Sequence, residues 1–509
     1  MDDPKQRWIS GLTEEFPLTG IDQNAPKVYS RVVYGFPFKG EANFFNEAVD
    51  YLRKSFFCAL VCYPFMGGQV VHPPDSKLLR LVYSNDQGQS GFLRFHGEVF
   101  GVQKLHRNHY PWDFEGLQQA NAPPNAFNKD VFSLSPAHLT SLSGSYSYYH
   151  PVTLRVTFIE GGILLCFACH HSVADGAAFT AFLDCMFNNQ ENHDIEALQQ
   201  AHAADLQRRT GLIMMFRGTQ PVDVSLLPEY DFNFSAPSIP LPLPSPTRCA
   251  AKVIILSAAR ISELKSRACA YLQSVLGDSA FVSGADTVCG LVWLHVTRAR
   301  LHHLDPNQPT RFATAIDIRN RMRTILGEKP YIGNMFLRTM TDKNVTVKDL
   351  VNADDTSSPA KIRDIAEAAW LIRRAIQAFD DPNHIRRHLI LLSNVLYGPS
   401  PDDISKASDL ALQKANAGLD NSVWAGIGAD IEFKIPGTHG GKPNWARKTY
   451  SANDGCMNIM PRKGGTQGTE NWEVLLTLRD VDMKKLYQRQ ELGGYMLGAP
   501  PAKPPARIL

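Results

Sequence analysis

Residues 152–190 read VTLRVTFIEGGILLCFACHHSVADGAAFTAFLDCMFNNQ. Two apolar, β-branched runs flank Glu160–Gly162, the pattern of a hairpin. The second run leads straight into two adjacent histidines, His170 and His171. Asp175 and Gly176 follow. Beyond them Phe179, Phe182, Leu183, Met186 and Phe187 recur at helical spacing, which predicts a helix with one stripe packed into a core. A buried strand that ends in titratable groups and turns into an apolar helix is an α/β unit.

A histidine takes and returns a proton near neutral pH. Strand alternation turns His170 and His171 to opposite sides, and His170 reads as a spacer. Asp175 either folds back on the His171 ring and fixes its tautomer, or pairs with an arginine and holds the turn. Gly176 allows close backbone approach before the helix. Three potential ligands lie within six residues, but no H-E-x-x-H and no spaced Cys/His set accompanies them. No metal is expected.

Outward from this stretch the chain keeps the same grammar. Residues 27–38 predict a strand, and NFFNEAVDYLRKSFFCAL predicts a helix with Phe44, Phe45, Val49, Leu52, Phe56 and Phe57 on its apolar side. Residues 78–84 and 92–101 read as further strands. The clearest composition shift is at 228–247, where SAPSIPLPLPSPT excludes regular structure and reads as an extended crossover. After it come a strand and helix from 250, a helix from 284 with Ser283 as N-cap, and a strand in RFATAIDIRNRM. A helical stretch over 360–393 and a strand over 471–478 complete it. The expected architecture is two α/β domains: residues 1–227, a linker 228–250, residues 251–490, and a flexible Gly/Pro-rich tail 491–509.

The bulk numbers exclude several classes. Basic and acidic residues number 52 and 50, so no strong field favours nucleic acid or an anionic membrane. Nine cysteines, an odd number, sit mostly in apolar runs, as buried thiols do. The N-terminus lacks an apolar signal region, and no run reaches the ~18–20 apolar residues of a membrane span. A cytoplasmic protein with reduced thiols is expected.

The longer string H-H-x-x-x-D-G carries a family resemblance. The chain resembles the BAHD acyltransferases of chloramphenicol-acetyltransferase-like fold, in particular their fungal, trichothecene 3-O-acetyltransferase-like branch, over roughly residues 26–485. YPFMGGQ (63–69) is similar to the family's P-x-x-A-G-R stretch, and SGADTVCGLVWLHVTRAR (283–300) to its S-T-x-D-x-L…W…R-A-R helix. IDIRNRM with YIGNMF (316–322, 331–336) matches D-x-R-x-R…Y-x-G-N. SVWAGIG (422–428) looks like its S/T-x-W segment, and NIMPRKGGTQGTENWEVLLTL like its closing M-P…W-E-V region. One motif departs. The family's D-F-G-W-G should precede Gly441-Lys442-Pro443, and this chain has IPGTHGGKP there. In the family that motif is mainly structural.

The resemblance implies two chloramphenicol-acetyltransferase-like domains, each a mixed sheet flanked by helices, with a channel between them. It implies a monomer that moves an acyl group, acetyl by default, from acyl-CoA to a hydroxyl of a terpenoid or polyketide. His171 would be the general base. Asp175, paired with an arginine, and Gly176 would be structural, and so would Asn334. The oxyanion of the intermediate needs a donor, for which the Ser422 hydroxyl and the Trp424 indole N–H are placed by the S/T-x-W segment. Lys442, Arg462 and Lys463 are the candidates for the CoA phosphates. Acyl-CoA is a co-substrate, and no resident cofactor is expected. Two other readings are a condensation-type, amide-forming enzyme with a carrier-bound donor, and a non-catalytic binding protein of the same fold.

Overall fold

The hairpin forms as expected, with Val152–Ile159 antiparallel to Gly162–His170. It is the centre of a five-stranded sheet in the order Trp445–Lys448, Tyr29–Pro37, Gly162–His170, Val152–Ile159, Phe100–Lys104. The computed structural model describes residues 14–39, 42–73, 76–83, 96–136, 147–188, 195–216, 219–234, 248–327, 331–351, 360–394, 398–412, 417–451, 453–488 and 492–497. Every residue of Gly162–His170 is buried, because the sheet is covered on both faces. Ile163, Leu165 and Phe167 face the core that holds the helices Ala42–Cys62 and Gly176–Asn188. Leu164 and Cys166 face a smaller core with Phe114, Phe127 and Trp445. A fully buried Leu, Ile or Phe contributes about 1.5–3 kcal/mol, so this strand is held from both sides.

A second, six-stranded sheet runs Phe336–Met340, Phe312–Asp317, Leu419–Val423, Cys456–Ile459, Trp472–Arg479, Cys249–Leu256. The helix Gly284–Arg300 is buried along nearly its whole length over this sheet. It starts at Ser283 through a capping box with Asp286, which satisfies two first-turn donors at once. The helical stretch expected over 360–393 is two main helices, Ile362–Gln377 and Pro382–Ser393. Pro382 lacks the N–H to continue the first and is suited to start the second.

Four expectations need correction. A third sheet, four short antiparallel strands in the order Glu14–Phe16, Arg80–Tyr83, Gln69–His72, Ser147–Tyr149, pairs with neither of the two main ones and packs into the core of the first through Phe16, Val70, Leu81 and Tyr83. Of the strand expected over 92–101, residues 92–95 lie outside the described residues, and His96–Val99 is a helical turn before the strand Phe100–Lys104. The expected tail is anchored at its start: Leu492 is buried and Leu497 N donates to Ile255 O at 2.8 Å. Residues 498–509 lie outside the described residues, as do 235–247 of the Pro-rich crossover.

The fourth correction bears on the site. Residues 251–490 do not keep to their own sheet. Trp445–Lys448 pairs antiparallel with Tyr29–Pro37, with Trp445 opposite Gly35. A Cβ on Gly35 would meet the Trp445 ring at 2.3 Å, so glycine there makes room for the indole. The approach to this strand is buried in the first core through Ile427, Ile431, Phe433 and Ile435.

Candidate active site

His171 sits one residue past the end of its strand, and its N–H donates to Val28 O at 2.9 Å. It lines a cavity of about 420 Å³ between the two halves of the chain, with Phe179, Asp317, Phe336, Ser422 and Trp424. His170 points away, as alternation requires. Its ring packs against Tyr29 and Tyr149 at 5.3 and 6.0 Å, and burial pushes its pKa down to about 3. It is neutral and outside the cavity lining.

The tautomer of His171 follows from its neighbour. Asn334 Nδ2 donates to His171 O at 2.7 Å and to Asp22 Oδ1 at 2.9 Å. That fixes the amide orientation and leaves Asn334 Oδ1, an acceptor only, 3.3 Å from His171 Nδ1. Nδ1 must carry the proton. Nε2 is then the lone-pair nitrogen, and it has no protein partner among the described residues. Burial lowers the His171 pKa, with Lys448 adding to the effect and Asp175 and Asn334 opposing it. The ring is therefore a neutral base at pH 7.

Asp175 does not hold the ring. Arg319 donates to both its oxygens at 2.9 Å, Met335 N to Oδ2 at 2.9 Å and Ala178 N to Oδ1 at 3.0 Å. It locks the turn after His171 and starts the helix. A Cβ on Gly176 would meet Ile427 Cδ1 at 2.7 Å, so glycine lets the segment from the second half close on the turn.

Ser422 is the penultimate residue of the strand Leu419–Val423 and shares the cavity with His171. Trp424 was expected to offer a second, independent donor. Instead its indole N–H donates to Ser422 Oγ at 3.0 Å. Trp424 thus orients the serine, whose own O–H is left to donate.

A second cavity of about 430 Å³ brings Lys442 and Lys463 together with His439 and Arg447. Arg462 is not with them. It is 3% exposed, lies 4.0 Å over the Trp472 ring and donates to the carbonyls of Gly468 and Glu470. Its guanidinium holds the loop 463–470, which removes it from the candidates for phosphate contact. The strand Trp445–Lys448 lies near both cavities. Trp445 lines the second, and the Lys448 ammonium stands 5.5 Å over the Trp424 ring of the first. At strand rise the Cα atoms at its ends are about 10 Å apart.

The Transferase family model matches residues 9–354, well over half of the chain. The chain belongs to this family, the BAHD acyltransferases. It is 24% identical to trichothecene 3-O-acetyltransferase TRI101 of Fusarium sporotrichioides over 391 residues, 75% of this chain and 76% of that one. It is also 24% identical to O-acetyltransferase ptmV of Penicillium ochrochloron, over 93% of this chain and 95% of that one. Among solved structures, F. graminearum TRI101 complexed with coenzyme A and T-2 mycotoxin superposes with TM-score 0.74 at 17% identity, covering 95% of this chain and 99% of that one. Vinorine synthase gives TM-score 0.56 at 15% identity, covering 95% and 94%. These likenesses agree with the two-domain α/β fold and the branch expected from the motifs.

In this BAHD acyltransferase the segment 437–441 is a glycine turn. Gly437, Gly440 and Gly441 all take positive φ, a conformation glycine adopts at no steric cost. The turn is tied by Phe433 N donating to Gly441 O at 2.7 Å, and the Phe433 ring packs 4.3 Å from Phe187 and 4.9 Å from Phe36. Several working residues escaped the sequence reading. Asp22 carries a T-x-x-D capping signature, but its reach to Asn334 carries none. Arg319 lies in IDIRNRM with nothing local to pair it with Asp175. Phe336 (ring 5.2 Å from His171) and Lys448 look like ordinary strand residues. Among the described residues no helix is long and apolar enough to cross a membrane.

Proposed function

We propose that this protein transfers an acyl group, acetyl by default, from acyl-CoA to a hydroxyl of a terpenoid or polyketide, with His171 as general base. The observation that carries this is the neutral His171 ring, its proton placed on Nδ1 by Asn334, on a cavity shared with the Ser422 hydroxyl. The cavity is of the size that takes a small molecule, and relatives of similar length are named as O-acetyltransferases.

Nε2 accepts the proton of the acceptor hydroxyl as its oxygen attacks the thioester carbonyl. The tetrahedral oxyanion takes a hydrogen bond from the Ser422 O–H. The intermediate collapses, the C–S bond breaks, and the proton passes from Nε2 to the departing CoA thiolate. Burial keeps the ring weakly basic, so it returns the proton readily. The acyl-CoA would present its thioester at His171, with Lys442 and Lys463 the cations offered to its phosphates.

The test is acceptor-dependent release of CoA thiol from acetyl-CoA and longer acyl-CoAs with a panel of hydroxylated terpenoids and polyketides. Multiple turnovers that stop in His171→Ala are the expected result. No release from any donor, together with no rise in melting temperature on adding CoA, would overturn the reading. A carrier-bound donor would then be the next substrate to try.

Two further outcomes are expected. Ser422→Ala lowers kcat by about 10²–10³-fold, the usual loss of one preorganised oxyanion donor, with KM for acyl-CoA little changed. The double variant Lys442→Ala/Lys463→Ala raises KM for acyl-CoA about tenfold, since exposed charge contacts give at most ~1 kcal/mol each, and leaves kcat intact. Steady-state kinetics separate the two patterns.

A further inference from the structure

Away from the active site, three residues distant from it in sequence and in role converge in the core. His384 and His388 are one helical turn apart near the start of Pro382–Ser393, so both rings leave the same face. Glu229, just ahead of the Pro-rich crossover, reaches between them. His384 Nε2 stands 3.2 Å from Glu229 Oε1 and His388 Nε2 3.4 Å from Glu229 Oε2. The three ligand atoms lie within 4.8 Å of one another. Relative exposures are 2% for Glu229, 8% for His384 and 0% for His388.

We propose that Glu229, His384 and His388 form a binding site for a divalent transition metal, with zinc the best fit. Two imidazoles and one carboxylate are zinc's usual donors, and bonds of ~2.0–2.2 Å in a tetrahedron put neighbouring ligands about 3.3–3.5 Å apart. Each imidazole stands near that distance from one oxygen of Glu229, 3.2 Å from Oε1 and 3.4 Å from Oε2. A shift of the side chains that brings the three ligand atoms, now within 4.8 Å of one another, around one ion completes the set. The contact between Glu229 Oε2 and His388 Nε2 is long: at 3.4 Å these two buried atoms face each other without a hydrogen bond of normal length, and neither has another partner among the described residues. A cation between them would satisfy both.

The surroundings complete the case. His388 Nδ1 lies 3.3 Å from the Tyr230 hydroxyl. With Nδ1–H donating there, Nε2 presents its lone pair to the metal, the usual outer-shell arrangement for a ligating histidine. Phe379 packs 4.6 and 5.0 Å from the two rings and excludes water. Arg311, whose charge reaches Glu229, donates through Nε to Thr341 O and through Nη1 to Pro228 O and Ala411 O, and makes no hydrogen bond to Glu229. The site is structural: it ties the chain leaving the first half to a helix whose Leu392 O accepts from Asn24 Nδ2 at 3.0 Å.

The test uses the full chain, purified without chelator, analysed for metal, then stripped and titrated with Co²⁺ alone. The expected result is about one equivalent of zinc as purified. The stripped protein gives an intense visible cobalt spectrum of tetrahedral type, displaced by Zn²⁺, and Zn²⁺ raises its melting temperature. Glu229→Gln and His384→Gln, each shown to be folded by circular dichroism, weaken cobalt binding by more than the ~10–100-fold cost of losing an outer-shell partner. Stripped wild type that shows neither the spectrum nor the thermal shift overturns the proposal, whatever the variants do. So does a wild-type spectrum in folded Glu229→Gln, which would place the metal elsewhere, for example at His302, His303 and Asp482.

Discussion

His171→Ala is expected to lower kcat/KM by about 10²–10⁴-fold, the range of general base catalysis, with little change in thermal stability. The ring contributes one side-chain hydrogen bond, the 3.3 Å contact with Asn334 Oδ1, and one ring contact, with Phe336. Its loss enlarges a cavity that is already open and leaves the strand intact. The pH dependence adds a second readout. A general base at His171 would work deprotonated, so kcat/KM should fall as pH drops through its pKa. Burial, aided by Lys448, places that pKa below the ordinary histidine value of ~6.5. The acidic limb should therefore lie below ~6.5, and the profile should be flat from neutral pH upward. Replacing Lys448 with Met removes a repelling cation and should move the limb up. An acidic limb at or above pH 7 in wild type would contradict the neutral, buried ring. Activity retained by a folded His171→Ala would sink the general base.

Asp22→Ala is expected to destabilise the protein by about 3–5 kcal/mol, the usual cost of leaving one charge of a buried pair without its partner. Asp22 and Arg209 are both 0% exposed, with Arg209 Nη1 donating to Asp22 Oδ2 at 2.7 Å. Oδ2 also accepts from Thr19 N and Oγ1, and Oδ1 from Asn334 N and Nδ2, each at 2.9 Å. One carboxylate thus joins the N-terminal segment, the helix Ile195–Met215 and the loop beside His171. Arg209, left behind, sits 4.4 Å from the Phe16 ring with no other acid bonded to it among the described residues. Urea or thermal unfolding measures the loss, and a cost under ~1 kcal/mol would show that the pair is not a fixed point of the fold. A purely structural role would leave the pH profile alone. Because Asp22 orients Asn334, which sets the His171 tautomer, Asp22→Asn should also lower kcat and displace the acidic limb.

How much of this was legible depended on whether the cause was local. The hairpin, the apolar helix after Gly176 and the Ser283 cap arise within a dozen residues of themselves, and pattern alone predicts them. His171 was legible because it belongs to a contiguous string, and Ser422 because S-V-W lies in order with other motifs. Contacts between distant segments were not. Nothing around Arg319 shows that Asp175, 144 residues away, is its partner. Of the third sheet, Arg80–Tyr83 falls within the strand expected over 78–84, while Glu14–Phe16 and Ser147–Tyr149 are three residues long, too short to carry a periodicity. Arg462 looked like a surface cation in M-P-R-K-G-G, and only the Trp472 face above it shows otherwise. Trp424 lines the cavity, but the S-V-W spacing does not show that its N–H goes to the serine two residues away.

The strand Trp445–Lys448 sets the unit of inheritance. A first half made on its own would carry Tyr29–Pro37 with one backbone edge bare and, beside Gly35, an indole-shaped gap. It would also lack the Phe433 ring that fills the space next to Phe187. Recombination at the Pro-rich crossover, the obvious junction in the sequence, would therefore join halves whose cores were fitted to other partners. Exchange of acceptor preference between relatives has to proceed residue by residue along the cavity or by whole chains. Chimaeras cut at 235–247 should be recovered in soluble form only when residues 424–448 travel with the first half.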